Sequence, residues 1–302
     1  MKKVLVVMGG FSDERDISLL SGHQVAEALT QSGYEVFPYD LKDITDFVET
    51  LNRVRPDVVF NALHGKYGED GCIQGLLNLM KIPYTHSGVL ASAVGMDKNK
   101  TRLLAESAGV DVAAGGLMTR EEFLANEPPM PYVIKPNDNG SSVGVFIVRD
   151  EADKKAALNV WQAGESRLVE DYIAGRELSV AVWEDKGVGV VEIVPKTGYY
   201  DFNNKYSEGG AEHVIPAQIP PEIYKEALER AALIHRLLGC RGVSRSDFRF
   251  DENNQNRLVF LEINTNPGMT ALSLVPDIMR ACQGTSYERV VSRLVEEATC
   301  DA

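Results

Sequence analysis

The sequence predicts a mixed α/β and α+β protein, with an N-terminal parallel α/β unit followed by two units of mixed or antiparallel strands. Three features carry that expectation. Apolar strand runs alternate with helical spacing over the first 62 residues, a glycine-rich turn separates two short strands between residues 132 and 148, and two polar-faced strands flank a tight turn between 242 and 264. Alternating strands and helices require a parallel sheet covered on both faces, with ligands expected beyond the carboxyl ends of the strands. Strands joined by short turns pair antiparallel.

Taken in order, Val4 to Met8 is a buried-strand run closed by Gly9-Gly10, and Ile17 to Leu29 shows apolar residues at helical spacing. Tyr34 to Pro38 and Val58 to Ala62 continue the alternation, and this first unit is expected to span residues 1–95. Residues 96–180 read as a central unit: a helix over Lys98 to Ala108, strands at Tyr132 to Lys135 and Val143 to Val148, a helix over Asp150 to Ala163 and a strand at Arg167 to Tyr172. The last unit, 181–302, takes long strands at Glu177 to Trp183 and Gly187 to Ile193, a helix over Pro221 to Leu238, the hairpin and a closing helix over Tyr287 to Ala298. The weakly periodic segment 194–214 is expected to be a lid, since a loop of that length inside a compact unit is usually a functional lid or disordered.

Composition narrows the function. A chain of 302 residues with 44% hydrophobic and 25% charged residues suits a soluble enzyme of two or three domains. A net charge of -13 excludes a surface built to coat nucleic acid or an anionic membrane, so any phosphate chemistry must rest on local lysines and arginines. Cys72, Cys240, Cys282 and Cys300 lie far apart without C-x-x-C spacing, which suits reduced thiols rather than a zinc site or disulfide frame. The opening apolar run is too short for a signal peptide and no 18-residue apolar run follows, so a cytoplasmic location is expected.

The hairpin is the strongest motif. Pairing Glu252 with Arg257 places Asp247 opposite Glu262 and Arg245 opposite Asn264, leaving Phe248, Phe250, Val259, Leu261 and Ile263 on the other face. Two carboxylates and an amide oxygen form an oxygen-only donor set of the kind Mg2+ prefers; the alternative is a solvated face with a surface ion pair. Asn137 to Gly144 is a glycine-rich hairpin whose N–H groups and Ser141/Ser142 hydroxyls can cover phosphates beside Lys135, or is a plain polar turn. Lys98 and Lys100 oppose the dipole of the helix they open, a cost that a bound phosphate would offset. Glu170 and Glu177 edge an apolar strand and can accept from a base amino group and ribose hydroxyls, or are surface acids. Glu14 opens the first helix, where it either favours the helix start or binds a substrate ammonium. His64 follows a strand, as a satisfied loop histidine or a functional one.

These pieces occur in one order. Gly9-Gly-x-Ser-x-Glu14, His64-Gly-x-x-Gly-Glu-Asp-Gly71, Met96-Asp-Lys98, Lys135-Pro, Gly140-Ser-Ser-Val-Gly144, Lys205-Tyr206, Arg245-x-Asp247 and Glu262-x-Asn-Thr-x-Pro-Gly-Met-Thr270 with Ser273-Leu274 together resemble the D-alanine:D-alanine ligases of the ATP-grasp superfamily over nearly the whole chain. The resemblance implies a three-domain ATP-grasp architecture and synthesis of D-alanyl-D-alanine for peptidoglycan through a D-alanyl phosphate. It implies ATP contacts from Lys98, Lys135, Ser141, Glu170, Glu177 and Lys205, and two Mg2+ or Mn2+ ions on Asp247, Glu262 and Asn264. The first D-alanine is expected on Glu14, the second on Ser273, Leu274 and Lys205, with Tyr206, Ser141 and Glu14 forming a hydrogen-bonded set. Arg245 and the N–H of Gly268 are expected to stabilise the oxyanion, His64 is a candidate base, and a homodimer is implied. The chain departs from the family pattern at Lys66-Tyr67 and at Asp171, where a basic residue is frequent. A different carboxylate–amine ligase and a nucleotide-binding regulator with a dead site are the competing readings.

Overall fold

A computed structural model describes residues 1–140, 143–195 and 211–301. The chain opens with β1 (Lys3–Gly9), α1 (Arg15–Gln31), β2 (Glu35–Leu41), α2 (Ile44–Val54) and β3 (Val58–Asn61), and the strands form a parallel sheet in the order β2-β1-β3. Because β1 is buried on both faces, it reads as an unbroken apolar run. Leu5 and Val7 face one core with Phe47, Leu51 and Leu77; Val4, Val6 and Met8 face another with Val25 and Leu29 of α1. This second core also takes in side chains from near the end of the chain, so the N-terminal unit and the last helices share one interior.

Three helices lead out of this sheet: α3 (Cys72–Met80), α4 (Val89–Met96) and α5 (Lys98–Ser107). A four-stranded antiparallel sheet follows, built from β4 (Gly115–Thr119), β5 (Tyr132–Pro136), β6 (Phe146–Val148) and β7 (Ser166–Asp171) in the order β4-β7-β5-β6, with α6 (Arg120–Ala125) and α7 (Glu151–Val160) packed on it. The third sheet takes β8 (Arg176–Trp183), β9 (Lys186–Pro195), β10 (Ala211–Val214), β11 (Val243–Asp251) and β12 (Arg257–Asn264) in the order β10-β9-β8-β11-β12. Helix α8 (Pro221–Leu238) covers it, with Pro at its first position and Gly239 in the left-handed conformation at its end. Two helices, α9 (Leu274–Gln283) and α10 (Tyr287–Glu296), return to the first unit.

The boundary expected at residue 180 falls inside β8, which pairs with β11 and β9 along its length, so the third sheet begins at Arg176. Both ends of the segment expected to be a lid are strand: Ala211 of β10 faces Pro195 of β9, and residues 196–210 between them lie outside the described residues. All four cysteines are free thiols. Among the described residues no helix is long and apolar enough to cross a membrane.

Candidate active site

Strands β11 and β12 pair with Arg245 opposite Asn264 and Asp247 opposite Glu262, the register that alternation predicts. Nearer the turn the expected register is corrected: Asp251, not Glu252, faces Arg257, and Phe248 faces Phe260, because Leu261 is bulged out of the ladder. The bulge has a packing cause. It lets Leu258 and Phe260 join Phe248, Phe250 and Ile263 in the core under α8, while Leu261 turns to the wall of a cleft. Val259, opposite Arg249, is fully buried but outside the core under α8, so Val259 and Leu261 do not share the face expected for them with Phe248 and Phe250.

On the other side of β11, Asp247 faces Ser179 and Arg249 faces Glu177. Asp247 is buried; its carboxylate accepts from the Ser179 hydroxyl at 2.5 Å and from Arg245 Nε and Nη2 at 3.0 and 2.9 Å. Glu262 lies 3.2 Å from the Nζ of Lys98, which opens α5 and also donates to the Asn139 carbonyl at 2.7 Å. Lys98 is thereby tied to the glycine-rich hairpin, while Lys100 pairs with the helix-capping Asp97. The Asn264 side-chain oxygen accepts from the N–H of Asn266 at 2.8 Å.

Two clefts meet at these residues. The first, between the four- and five-stranded sheets, is lined by apolar Val133, Ile147 and Leu261 together with Lys135, Glu170 and Glu177. Lys135 and Glu170 form a buried ion pair at 2.5 Å, and Arg249 holds Glu177 at 3.2 Å. Tyr172 also lines this cleft, with the Arg149 guanidinium 5.8 Å over its ring. The second cleft, about 580 Å³, runs between the N-terminal unit and the loop after β12 and holds Glu14, His64, Arg245, Gly268, Ser273 and Leu274. Lys98, Asp247 and Glu262 line both clefts.

Glu14 stands at the N-cap of α1 without using its side chain as a cap, which leaves the buried carboxylate for other partners. It lies where side chains on Gly65 or Gly140 would sit, so both glycines permit its approach. His64 is buried, with Nδ1 3.3 Å from Glu69 and Nε2 3.4 Å from the Ser21 hydroxyl. Burial by itself would lower its pKa, but the hydrogen bond and charge of Glu69, with the charge of Glu14, outweigh this and raise it above the ordinary value. Ser273 precedes α9 and leaves the first N–H groups of that helix facing the second cleft, an arrangement suited to a carboxylate.

Residues 113–296 match the family described as D-ala D-ala ligase C-terminus, and residues 42–87 match D-ala D-ala ligase N-terminus. A D-alanine–D-alanine ligase of Paramagnetospirillum magneticum is 51% identical, covering 99% of both chains. The chain belongs to the D-alanine–D-alanine ligase family. The Rhodospirillum rubrum ligase is 49% identical, covering 100% of this chain and 99% of its own. Among solved structures, the Bacillus anthracis D-alanine–D-alanine ligase complexed with ATP superposes with a TM-score of 0.83 at 27% identity, covering 98% of this chain and 96% of that one. The VanG D-Ala:D-Ser ligase of Enterococcus faecalis gives a TM-score of 0.79 at 28% identity and covers 98% of each chain. The fold is accordingly the three-domain ATP-grasp arrangement of this family's ligases.

Of the residues expected in a ligase site, Glu14, His64, Lys98, Lys135, Glu170, Glu177, Arg245, Asp247, Glu262, Asn264, Gly268, Ser273 and Leu274 line one cleft or both. Ser141, Lys205 and Tyr206 lie outside the described residues. Lys135 and Glu170, expected at opposite ends of a nucleotide, are in direct contact here. Glu69 and Arg249 were not anticipated. Each had a signal: Glu69 lies in the same glycine-rich motif as His64, and Arg249 continues the period-two row of Arg245 and Asp247.

Proposed function

We propose that the chain is an ATP-dependent ligase that joins two D-alanines through D-alanyl phosphate to give D-alanyl-D-alanine for peptidoglycan synthesis. The observation that carries the reading is that Lys98, Asp247 and Glu262 line both clefts. A phosphoryl group leaving a nucleotide in the first cleft would meet a carboxylate held in the second at that junction.

The donor set supports a divalent cation. Among the described residues no three His, Cys, Asp or Glu side chains are placed to hold a metal. Asp247 and Glu262 with the Asn264 amide are two carboxylates and one neutral oxygen, a set that leaves coordination positions to water and phosphate oxygens, as Mg2+ prefers. Asp247, Glu262 and Asn264 would hold two Mg2+ or Mn2+ ions, which neutralise charge on the transferring group when bound. The remaining roles belong to the chain. Glu14 would bind the first D-alanine's ammonium and aim its carboxylate at the junction, where Lys98 would offset the charge of the γ-phosphoryl group. Lys135, Glu170 and Glu177 would hold the rest of the nucleotide, with Lys205 and the Ser141 region covering the phosphates and Tyr206 joining Ser141 and Glu14.

Arg245, oriented by Asp247, and the N–H of Gly268 would stabilise the oxyanion formed when the second amine attacks. One such donor is commonly worth roughly 3 to 4 kcal/mol. The first N–H groups of α9, with Ser273 and Leu274, would receive the second substrate's carboxylate. Three units with approximate bounds 1–95, 96–175 and 176–302, the last boundary moved from the expected 180 because β8 belongs to the third sheet, and assembly as a homodimer, belong to the same proposal; light scattering measures the latter. ATP turnover stimulated by D-alanine, with product analysis against L-alanine and other amino acids, tests the function. No stimulation, or a product other than the D,D-dipeptide, overturns it.

A further inference from the structure

The acceptor half of the second cleft contains a histidine to which no expected role is attached. His213 stands on β10, and its Nδ1 lies 3.5 Å from a carboxylate oxygen of Asp277 in the first turn of α9. The other oxygen of Asp277 is held by Arg280. The pair is largely enclosed, with side-chain exposures of 24% for His213 and 12% for Asp277. Both residues line the cleft together with Ser273 and Leu274, the start of the helix that receives the acceptor's carboxylate. With Nδ1 turned to a carboxylate, Nε2 of His213 is the available nitrogen, and it has no hydrogen-bond partner among the described residues. A carboxylate on one ring nitrogen fixes tautomer and orientation, so the other nitrogen is an acceptor.

The acceptor amino acid arrives as an ammonium at neutral pH and must lose a proton before its nitrogen can attack. His64 is poorly placed to take that proton, because both its ring nitrogens have partners and Glu69 and Glu14 favour its charged form. We propose that His213, held through Nδ1 by Asp277, is the general base that deprotonates the acceptor ammonium. The inference rests on the ligase reading above. One proton of the ammonium passes to Nε2. The freed amine adds to the acyl carbon to form the C–N bond and the oxyanion, the C–O bond to phosphate breaks as that oxyanion collapses, and the second proton departs with the phosphate, which closes the balance. The charged groups that face the imidazole are Asp277 and, beyond it, Arg280 on α9, with Arg245 and Glu14 lining the same cleft, whereas Glu212 and Glu192 alternate to the opposite face of the sheet, where Arg176 holds Glu192.

The test compares the unaltered chain with His213→Gln at pH 7, using D-alanine as the sole amino acid and then adding hydroxylamine as a replacement acceptor. Hydroxylamine is already neutral at that pH and needs no base to trap an acyl phosphate as its hydroxamate. A general base contributes at least about 100-fold, so dipeptide formation should fall by about that factor, while hydroxamate formation stays within about threefold. The dipeptide rate of the variant should recover as pH rises and the acceptor deprotonates in solution. Equal loss of both products would make His213 a structural residue and overturn the proposal, as would an unchanged dipeptide rate. Failure of the unaltered chain to form either product would overturn the ligase reading itself, and this role with it.

Discussion

The position of Glu14 can be tested without touching its carboxylate. A Cβ added to Gly65 would stand 2.8 Å from Glu14 Oε2, and one added to Gly140 would stand 3.0 and 3.4 Å from its two oxygens. Non-bonded atoms settle nearer about 3.5 Å, so either methyl group must displace the carboxylate by several tenths of an ångström. Misplacement of a positioning group by about 1 Å costs on the order of 100-fold in rate, which sets the expected loss at roughly 10- to 100-fold in kcat/KM for the first D-alanine. The two substitutions differ in backbone cost. Gly65 has φ +68°, so Gly65→Ala adds about 1 to 2 kcal/mol of left-handed strain, whereas Gly140 lies outside that region. Steady-state phosphate release at varied D-alanine and saturating ATP should show the loss in both variants, and urea unfolding should show a lower midpoint in Gly65→Ala alone. A Gly140→Ala enzyme with unchanged kinetics for the first amino acid would refute the argument that this carboxylate, pressed between two glycines, holds the substrate.

Glu262→Ala removes a partly exposed group at the junction of the clefts, so turnover should fall at least about 100-fold with the unfolding midpoint unmoved; ADP release near the parental rate contradicts it. Ser179→Ala deletes a fully buried donor to Asp247 and should raise the Mg2+ concentration needed for half-maximal turnover, at a stability cost of about 1 kcal/mol. An unchanged Mg2+ titration would separate Ser179 from the site. Burial, together with the charges of His64 and Arg241, pushes the pKa of His86 down to about 3, so below its ordinary value near 6.5 the unfolded chain takes up a proton that the native chain refuses. Stability should therefore fall as pH drops through that window, by roughly 2 kcal/mol at pH 5 from this group, with the raised pKa of His64 contributing in the opposite sense. His86→Asn keeps a side chain tolerant of the φ of +69° and should flatten the pH dependence of the urea midpoint; identical slopes would sink this account.

What was legible in the sequence follows from how locally each feature is specified. Helix α8 begins and ends where the Pro220-Pro221 and Gly239 signals stand, because cap chemistry is written in adjacent residues. The pairing of Asp247 with Glu262 was readable for the same reason: alternation fixes which side chains share a face. The bulge at Leu261 was not, since its cause is the seating of Leu258 and Phe260 under α8, on residues about 30 positions away. Helix α4 went unassigned because Val89-Leu-Ala-Ser-Ala-Val-Gly-Met96 has almost no polar face, and its N-terminus is held by Asp301, which accepts from the N–H of Val89 at 2.9 Å. Strand β4, glycine-led and half exposed, carries too little apolar alternation to register as a strand. Helix α2, by contrast, was available in the sequence, with Asp43 as its cap and Phe47 and Leu51 one turn apart.

The pairing of charges around the clefts explains how a chain of net charge -13 can hold a triphosphate. Among the described residues, each cation that faces the nucleotide cleft or the junction already has an acidic partner: Lys98 with Glu262, Lys135 with Glu170, Arg245 with Asp247 and Arg249 with Glu177. A phosphate entering alone would have to take an ammonium from its carboxylate and leave that carboxylate unpaired in a partly buried site, where an unpaired charge is strongly disfavoured. A divalent cation entering alone would meet the converse problem with the cations. Arriving together, the two would exchange partners: the carboxylates would turn to the metal and the ammonium groups to the phosphates, leaving no group stranded. Linkage would make the dependence mutual, so a bound metal would raise affinity for the nucleotide by the factor that the nucleotide raises affinity for the metal. The acidic composition is then compatible with phosphoryl chemistry because the site is neutralised pair by pair before the ligand arrives.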